Sequence, residues 1–445
     1  MKQGSKALLV AGALAATTAV AYAQLRSYDV SDLLKSQTGT SFLQALTLAE
    51  QIALKSEDRD KLLEGAIKGM LGTFDDPYTR YVPPTQAARD NQDQEGEFFG
   101  IGVTFTSADT TKGTGGKIEA VYKGRPADLA GVQPGDVFLK IDGDDVTNTP
   151  QDDLVGKIRG KENTNVKITF GRGKGSYEVT LKRSRIEIVS VETSVLPGNI
   201  GYVALNDFSN TKVLQQFPKA IADFKAKGIQ KVIFDLRGNP GGNLCIATAV
   251  ADQFLTGGDI LKVRERGGKA GDIGCPGDGK AAAQATDYKG KLAVLIDGGS
   301  ASASEIVAGA LQDSGRATLV GAKSFGKGIV QAVYPLQNGG KANITFEEWL
   351  TPKGRSIHKQ GVTPDVKVED SRAPKIVTFE GTGAKAGEKI TVNVGGRSVT
   401  ATADADGKFT FTDTPKARPR TNDGNAVVDP KTDAQLARAI EVVNK

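Results

Sequence analysis

Across residues 199–370 short apolar runs alternate with helical segments, and no other feature of the chain restricts its fold as strongly. Residues 200–205, 231–236, 292–297 and 318–320 read as strands, whereas 212–226, 244–254 and 302–312 carry the apolar spacing of helices. Strands separated by helices need crossover connections, so this segment is expected to form an α/β domain around a largely parallel sheet. Residues 267–289, rich in glycine and alanine, interrupt the alternation and are expected to be a mobile surface loop.

With 445 residues the chain exceeds one hydrophobic core, and its flanks follow other periods. Leu43, Leu46, Leu48, Ile52, Leu62, Leu63, Ile67 and Met70 recur at helical spacing, predicting two amphipathic helices broken near 56–59 and stopped at Asp75-Asp76-Pro77. The polar residues 86–97 read as a linker. Over 98–181 the period falls to two, with strand patterns at 99–105, 117–121, 137–141, 166–170 and 177–181 and helical pieces at 126–130 and 151–158. That is the pattern of a small, partly open β-structure. Alternation returns over 374–411, predicting an extra β-module, and a helix over 433–443 closes the chain. The expected divisions are a leader at 1–23, a helical region at 24–95, a β-rich domain at 96–184, the α/β domain at 185–372, the β-module at 373–430 and the closing helix at 431–445.

Lys2 and Lys6 precede an apolar run over 7–20, and Ala21-Tyr22-Ala23 puts small residues at both positions a signal peptidase reads. A cleaved secretory leader is expected, since the run is shorter than the roughly 20 residues a membrane span needs. This predicts export, to the periplasm, the cell envelope or the medium, with no membrane span after cleavage. Cys245 and Cys275 are the only cysteines. In an exported chain they make one disulfide available, two free thiols being the other reading. Basic residues are scattered among acids, so nothing supports nucleic-acid binding.

Two turns carry the chemistry. Ser300-Ala301-Ser302-Ala303-Ser304-Glu305 follows the strand pattern of 292–297 and opens a helix. Unpaired N–H groups and the positive dipole end at such a helix start stabilise an oxyanion, which places Ser302 well for a nucleophile. Local chemistry does not separate it from Ser300 and Ser304, since each would serve as an N-cap. Asp235-Leu-Arg-Gly238-Asn-Pro-Gly241-Gly242 likewise joins a strand to a helix, and its last glycines let the backbone approach a bound carbonyl. A serine nucleophile needs a base. One option is His358, the sole histidine, as in a Ser-His-Asp triad. The other is Lys327, flanked by glycines and followed by apolar residues, because burial makes a lysine give up its proton more readily.

With these motifs placed, the chain resembles the C-terminal processing peptidases, or tail-specific proteases. The likeness is carried by Gly65-Ala-Ile-Lys-Gly-Met-Leu71, Asp75-Asp-Pro-Tyr-Thr79, the turn at 235–242, Ser300 to Glu305 and Phe325-Gly-Lys327. It implies a crotonase-like α/β catalytic domain with an N-terminal helical segment and an inserted PDZ-like domain, while the C-terminal β-module and the Cys275 loop depart from the family pattern. It also implies a serine endopeptidase with Ser302 as nucleophile, Lys327 as general base and Gln331 supporting the lysine. The Ala303 amide and an amide of Gly241 or Gly242 would form the oxyanion hole, and no metal or cofactor is called for. Phe99-Gly100-Ile101-Gly102-Val103 resembles the carboxylate-binding loop of PDZ domains, with Leu154, Val155 and Ile158 lining an apolar pocket beside it. The partners implied are proteins or peptides with apolar C-terminal tails; assembly into a homo-oligomer is left open. The rival reading is a non-catalytic PDZ adaptor or chaperone, which would have no need of Ser302, Lys327 and Gln331 together.

Overall fold

The computed structural model describes residues 30–109, 112–369, 378–381, 383–394, 397–403, 407–412, 425–426 and 428–445. The leader expected at 1–23 lies outside them. The chain enters through helices α1 (Val30–Lys35), α2 (Gln37–Ile52) and α3 (Arg59–Gly72). The break between the last two falls where the periodicity lapses, and Asp58 caps α3 by accepting the Asp60 and Lys61 amides. After strand β1 (Arg80–Val82) comes α4 (Pro84–Glu95), a correction to the linker expected at 86–97. Its sequence is nearly all polar, so periodicity cannot announce it. Its signals are Pro84 in the first turn and Gly96 beyond its end at φ 73°.

The β-rich domain matches its expected elements closely. The run at 99–105 divides into β2 (Glu97–Gly100) and β3 (Val103–Thr106), followed by β4 (Lys117–Val121), α5 (Pro126–Leu129), β5 (Val137–Ile141), β6 (Asp144–Asp145), α6 (Gln151–Ile158), β7 (Asn165–Arg172) and β8 (Gly175–Lys182). The sheet runs β3-β4-β5-β7-β8, with β6 hung on β5, which leaves β3 at an edge. Alternate residues such as Ile118, Phe138, Ile168, Phe170 and Leu181 close a core of their own. Strand β2 instead pairs with β9 (Ser184–Glu187), a two-stranded neck leading to the α/β domain.

That domain comprises β10 (Val191–Leu196), β11 (Ile200–Leu205), α7 (Val213–Ala226), β12 (Lys231–Asp235), α8 (Leu244–Ala251), β13 (Gly257–Asp259), β14 (Lys262–Glu265), β15 (Lys280–Ala282), β16 (Lys291–Ile296), α9 (Ala303–Asp313), β17 (Thr318–Gly321), β18 (Ile329–Pro335), β19 (Lys341–Leu350) and β20 (Val366–Lys367). Its main sheet has the order β10-β11-β12-β16-β17-β20 and is parallel apart from β10. Strands buried on both faces read as continuous apolar runs. Phe234 and Val294 meet α7, α8 and α9, while Ile233 and Leu295 face the other way. A second, antiparallel sheet was not expected from the sequence: β1-β19-β14, with β18 also paired to β19. It brings the N-terminal region against the α/β domain. The stretch expected as a mobile loop is fastened twice, by β15 pairing with β13 and by a Cys245–Cys275 disulfide.

Beyond β20 come the pairs β21 (Thr378–Gly381) with β24 (Phe409–Thr412) and β22 (Lys389–Val394) with β23 (Arg397–Thr402). The remainder of the β-module expected at 373–430 lies largely outside the described residues. Helix α10 (Ala434–Asn444) then returns to cover the free face of the main sheet through Leu436, Ala439 and Val443. No helix among the described residues is long and apolar enough to cross a membrane.

Candidate active site

Ser302 stands between β16 and α9 at φ 54°, ψ −114°. For a residue with a Cβ this conformation costs on the order of 1–3 kcal/mol, so the surroundings must impose it. The Ser300 hydroxyl donates to the Leu236 carbonyl and the Ser304 hydroxyl to the Asn239 carbonyl, both bonds being buried. The flanking serines are thereby committed to holding the two glycine-rich turns together, and half-buried Ser302 is the one set apart. The Ala303 N–H, first of α9, has no acceptor among the described residues. Gly241 packs against this turn at φ 100°: a Cβ there would lie 2.8 Å from Ser302 Cβ and 2.9 Å from the Ala303 nitrogen. Only glycine fits. The Gly241 N–H is donated to Asn239 Oδ1, whereas the Gly242 N–H has no acceptor among the described residues.

Glu305, buried in α9, joins this turn to the lysine segment. Its Oε2 accepts the backbone N–H of Ser302 and of Lys327, both at 2.8 Å. Its Oε1 accepts the Gly326 N–H at 2.7 Å and the Ser324 hydroxyl at 2.5 Å. Four donors and the positive end of α9 offset the burial of the carboxylate. On the far side the Lys327 carbonyl accepts from the Trp349 indole at 3.0 Å. The glycines around Lys327 are steric requirements, since a Cβ at Gly328 would meet the His358 nitrogen at 2.7 Å.

The Lys327 backbone is thus fixed, and its half-buried side chain turns toward the N-terminal region. Nζ lies 4.5 Å from the centroid of the Tyr78 ring and makes no hydrogen bond or ion pair among the described residues. Burial pushes the amine below the ordinary lysine range and Arg80 adds to this, while Asp76 opposes it. Gln331 sits on β18 at a bulge and donates to Thr345 Oγ1 at 3.4 Å. Its amide is thus engaged with Thr345, where the sequence reading has Gln331 support the lysine. His358 lines a cavity of about 600 Å³ beside Lys327, along with Phe74, Pro77, Tyr78 and Phe325. It makes no hydrogen bond to Ser302. Sequence reasoning missed Tyr78, Asp76 and the function of Glu305, although the first two lie in a motif already singled out.

In the β-rich domain, Gly100 ends β2 and Gly102 precedes the edge strand β3, which Val103 opens. The expected pocket lining needs correction. Ile101, Leu154 and Ile158 lie inside the domain core rather than on a groove wall, because α6 turns that face to the sheet. Val155 is half-buried. Gln151, at the start of α6, donates to the Phe105 carbonyl of β3 and accepts from Ser107, bridging the strand and the helix.

Three family descriptions match the chain: an Activating protease CtpB N-terminal domain over residues 14–84, a PDZ domain over 117–172 and Peptidase family S41 over 199–368. A Probable CtpA-like serine protease of Staphylococcus saprophyticus is 36% identical over 316 residues, covering 71% of this chain and 62% of that protein. The protein of the same description from Staphylococcus haemolyticus is 37% identical over 314 residues, covering 71% and 61%. The chain thus spans about three-fifths of the length of these curated relatives. Among solved structures, a photosystem II D1 C-terminal processing protease is 27% identical with a TM-score of 0.47, covering 75% of this chain and 94% of that one. The S41 match takes in both glycine-rich turns and Lys327, so the chain carries a Peptidase family S41 domain behind a PDZ domain and a domain similar to the N-terminal domain of the activating protease CtpB.

Proposed function

We propose that this chain is an exported serine endopeptidase that captures protein substrates by an apolar C-terminal tail and cleaves them by acyl transfer on a crotonase-like scaffold. The observation that carries the reading is the Glu305 clasp, which ties the backbone of Ser302 to that of Lys327 beside the unpaired Ala303 amide. Neutral Lys327 takes the Ser302 hydroxyl proton as Oγ attacks the scissile carbonyl, and the tetrahedral oxygen is received by the Ala303 and Gly242 amides. Gly241 contributes by being small, since its own N–H is already donated to Asn239. Collapse releases the amine, which takes the proton back from Lys327. Water, deprotonated by the regenerated Lys327 amine, then hydrolyses the ester, and Lys327 returns the proton to Ser302 Oγ. Gln331 acts on the lysine only at second hand, through Thr345.

Tail capture rests on the glycine loop 100–103 and the β3 edge, where backbone N–H groups would take a terminal carboxylate and the strand would pair with the peptide. Swinging Gln151 off the Phe105 carbonyl opens that edge. The test compares wild type, Ser302→Ala and Lys327→Ala on an unstructured protein with an apolar tail, and measures binding of the free and the amidated tail to full-length Ser302→Ala. Both substitutions are expected to abolish cleavage, and amidation to weaken binding. Undiminished cleavage in either variant would sink the dyad. Binding by the wild type without cleavage would turn the reading to the adaptor.

A further inference from the structure

We propose that Tyr78 is a positioning residue that clamps Lys327 in a charged resting form, its ring face holding the ammonium until substrate occupies the cavity beside it. The proposal rests on Lys327 being the base. Four observations carry it. The first is the contact itself, with Nζ 4.5 Å from the ring centroid, inside the reach of a cation–π interaction. The second is that Nζ makes no hydrogen bond or ion pair among the described residues, although three hydrogen-bond donors on a half-buried amine would ordinarily find an acceptor.

The third is how firmly the ring is presented. The Asp76 carboxylate accepts the Tyr78 N–H at 3.1 Å and the Thr79 hydroxyl at 2.8 Å, and Thr79 Oγ1 accepts the Thr345 N–H at 3.1 Å. Asp76 is further hydrogen-bonded to the Thr345 side chain. Gln331 reaches the same Thr345, so the N-terminal loop, β19 and β18 meet at this residue. The fourth is that the lysine backbone is fixed by Glu305 and Trp349. With the backbone held, the side chain is the part of Lys327 left free to move between the ring and Ser302. The cavity of about 600 Å³ is lined by Tyr78 and by Gly326, the neighbour of Lys327, and is framed by Phe74 and Phe325, exposed by 63% and 57%.

A ring face favours the ammonium over the amine, whereas a general base must be neutral. Each group facing Lys327 acts on that balance: Arg80 of β1 disfavours the charge and Asp76 of the loop favours it. Glu305 of α9 reaches the backbone beside it, and His358 and Lys359 stand on the cavity wall. The Tyr78 ring face favours the charged form only while it stays in place. A substrate segment entering the cavity displaces the ring, and the amine then loses its proton to water and turns toward Ser302.

The test replaces Tyr78 with phenylalanine and its mono-, di- and trifluorinated analogues, which keep the shape and progressively remove the negative ring face. The proton affinity of Lys327 is read by mass spectrometry, from the rate of its acylation against pH. Phenylalanine should leave the Lys327 titration near wild type. Successive fluorines should move it downward by up to about one pH unit, the scale of a partly buried cation–π contact. Cleavage at pH 7 of a short peptide without an apolar tail should rise with fluorination by up to about tenfold, following the neutral fraction. A titration that does not change along the series overturns the proposal, and a graded titration with falling turnover overturns the clamp. Tyr78→Leu, which keeps bulk without a ring face, should behave like the trifluorinated chain; matching the phenylalanine variant instead also overturns it. The acylation readout does not depend on catalysis, so failure of the dyad reading appears separately, as cleavage surviving in Lys327→Ala.

Discussion

Glu305 accepts donors from two loops that are otherwise joined by the Phe325 N–H donated to the Ser300 carbonyl, and a side-chain amide cannot replace it. Each oxygen takes two hydrogens, two of them on one side from the nucleophile turn and the lysine segment. Glu305→Gln would turn an NH2 group against one of these donor pairs, leaving buried N–H groups unpaired at about 1–3 kcal/mol each. The expected result is a kcat lowered by about a hundredfold or more with KM little changed, since a displacement of the dyad by a fraction of an ångström affects the reacting atoms more than distant binding contacts. Steady-state kinetics check this, and a kcat within a fewfold of wild type would leave Glu305 a stability residue only. At this scale the sequence was only partly legible. It showed three serines on one turn, and the choice of Ser302 came from resemblance, because what sets it apart physically is its positive φ and the commitment of Ser300 and Ser304 to carbonyls some 64 and 65 positions away. None of that is written in local spacing.

Among the elements, the pairing of β14 with β19 sets Glu265 directly opposite Glu347. Like charges in register oppose pairing, and Glu347 is buried as well. Burial first, then Glu265 and Asp272, push its carboxyl up to about 7. The folded value lies above that of the unfolded chain. Stability from the protonated carboxyl is therefore fully present below about pH 4.5 and is lost as the pH rises through about 7. Glu347→Gln should raise the melting temperature at pH 8 by a few degrees and converge with wild type near pH 5. Thermal melts across that range check it, and a constant offset at both pH values would exclude the titration. This sheet is also where sequence reading fell short. The strands of the PDZ domain alternate cleanly and were found, but β19 carries Glu347 and Glu348 in succession, and β1 is three residues long. Helix α4 escaped because its half-buried face, Gln86, Ala87, Arg89, Asp90, Gln92 and Asp93, is itself almost all polar and leaves no apolar stripe to detect.

For the whole molecule the decisive contact is between the second glycine-rich turn and the far end of the chain. Arg237 is buried and gives its guanidinium to Asp235 on one side and to Asp433 on the other, with Nη1 and Nη2 at 2.9 and 3.0 Å from the two Asp433 oxygens. Tyr202 donates to the same Asp235 at 2.6 Å. Asp433 also caps α10 by accepting the Leu436 N–H, so one carboxylate anchors the closing helix and the turn that carries Gly241 and Gly242. Sequence reading placed both motifs, but the 196 positions between Arg237 and Asp433 exceed any local period. Asp433→Asn keeps a cap oxygen for α10 and leaves Arg237 short of one charge, whereas Asp433→Ala removes both. Breaking a buried ion pair by taking one partner costs about 3–5 kcal/mol, so the alanine variant should melt well below wild type, with asparagine between. Because Arg237 lies on the turn that carries Gly241 and Gly242, proposed above to face the tetrahedral oxygen, the asparagine variant should also lose kcat at temperatures where it remains folded. Melting and activity measured on the same preparations check this, and an Asp433→Asn enzyme that is less stable yet fully active would confine the network to holding α10 in place.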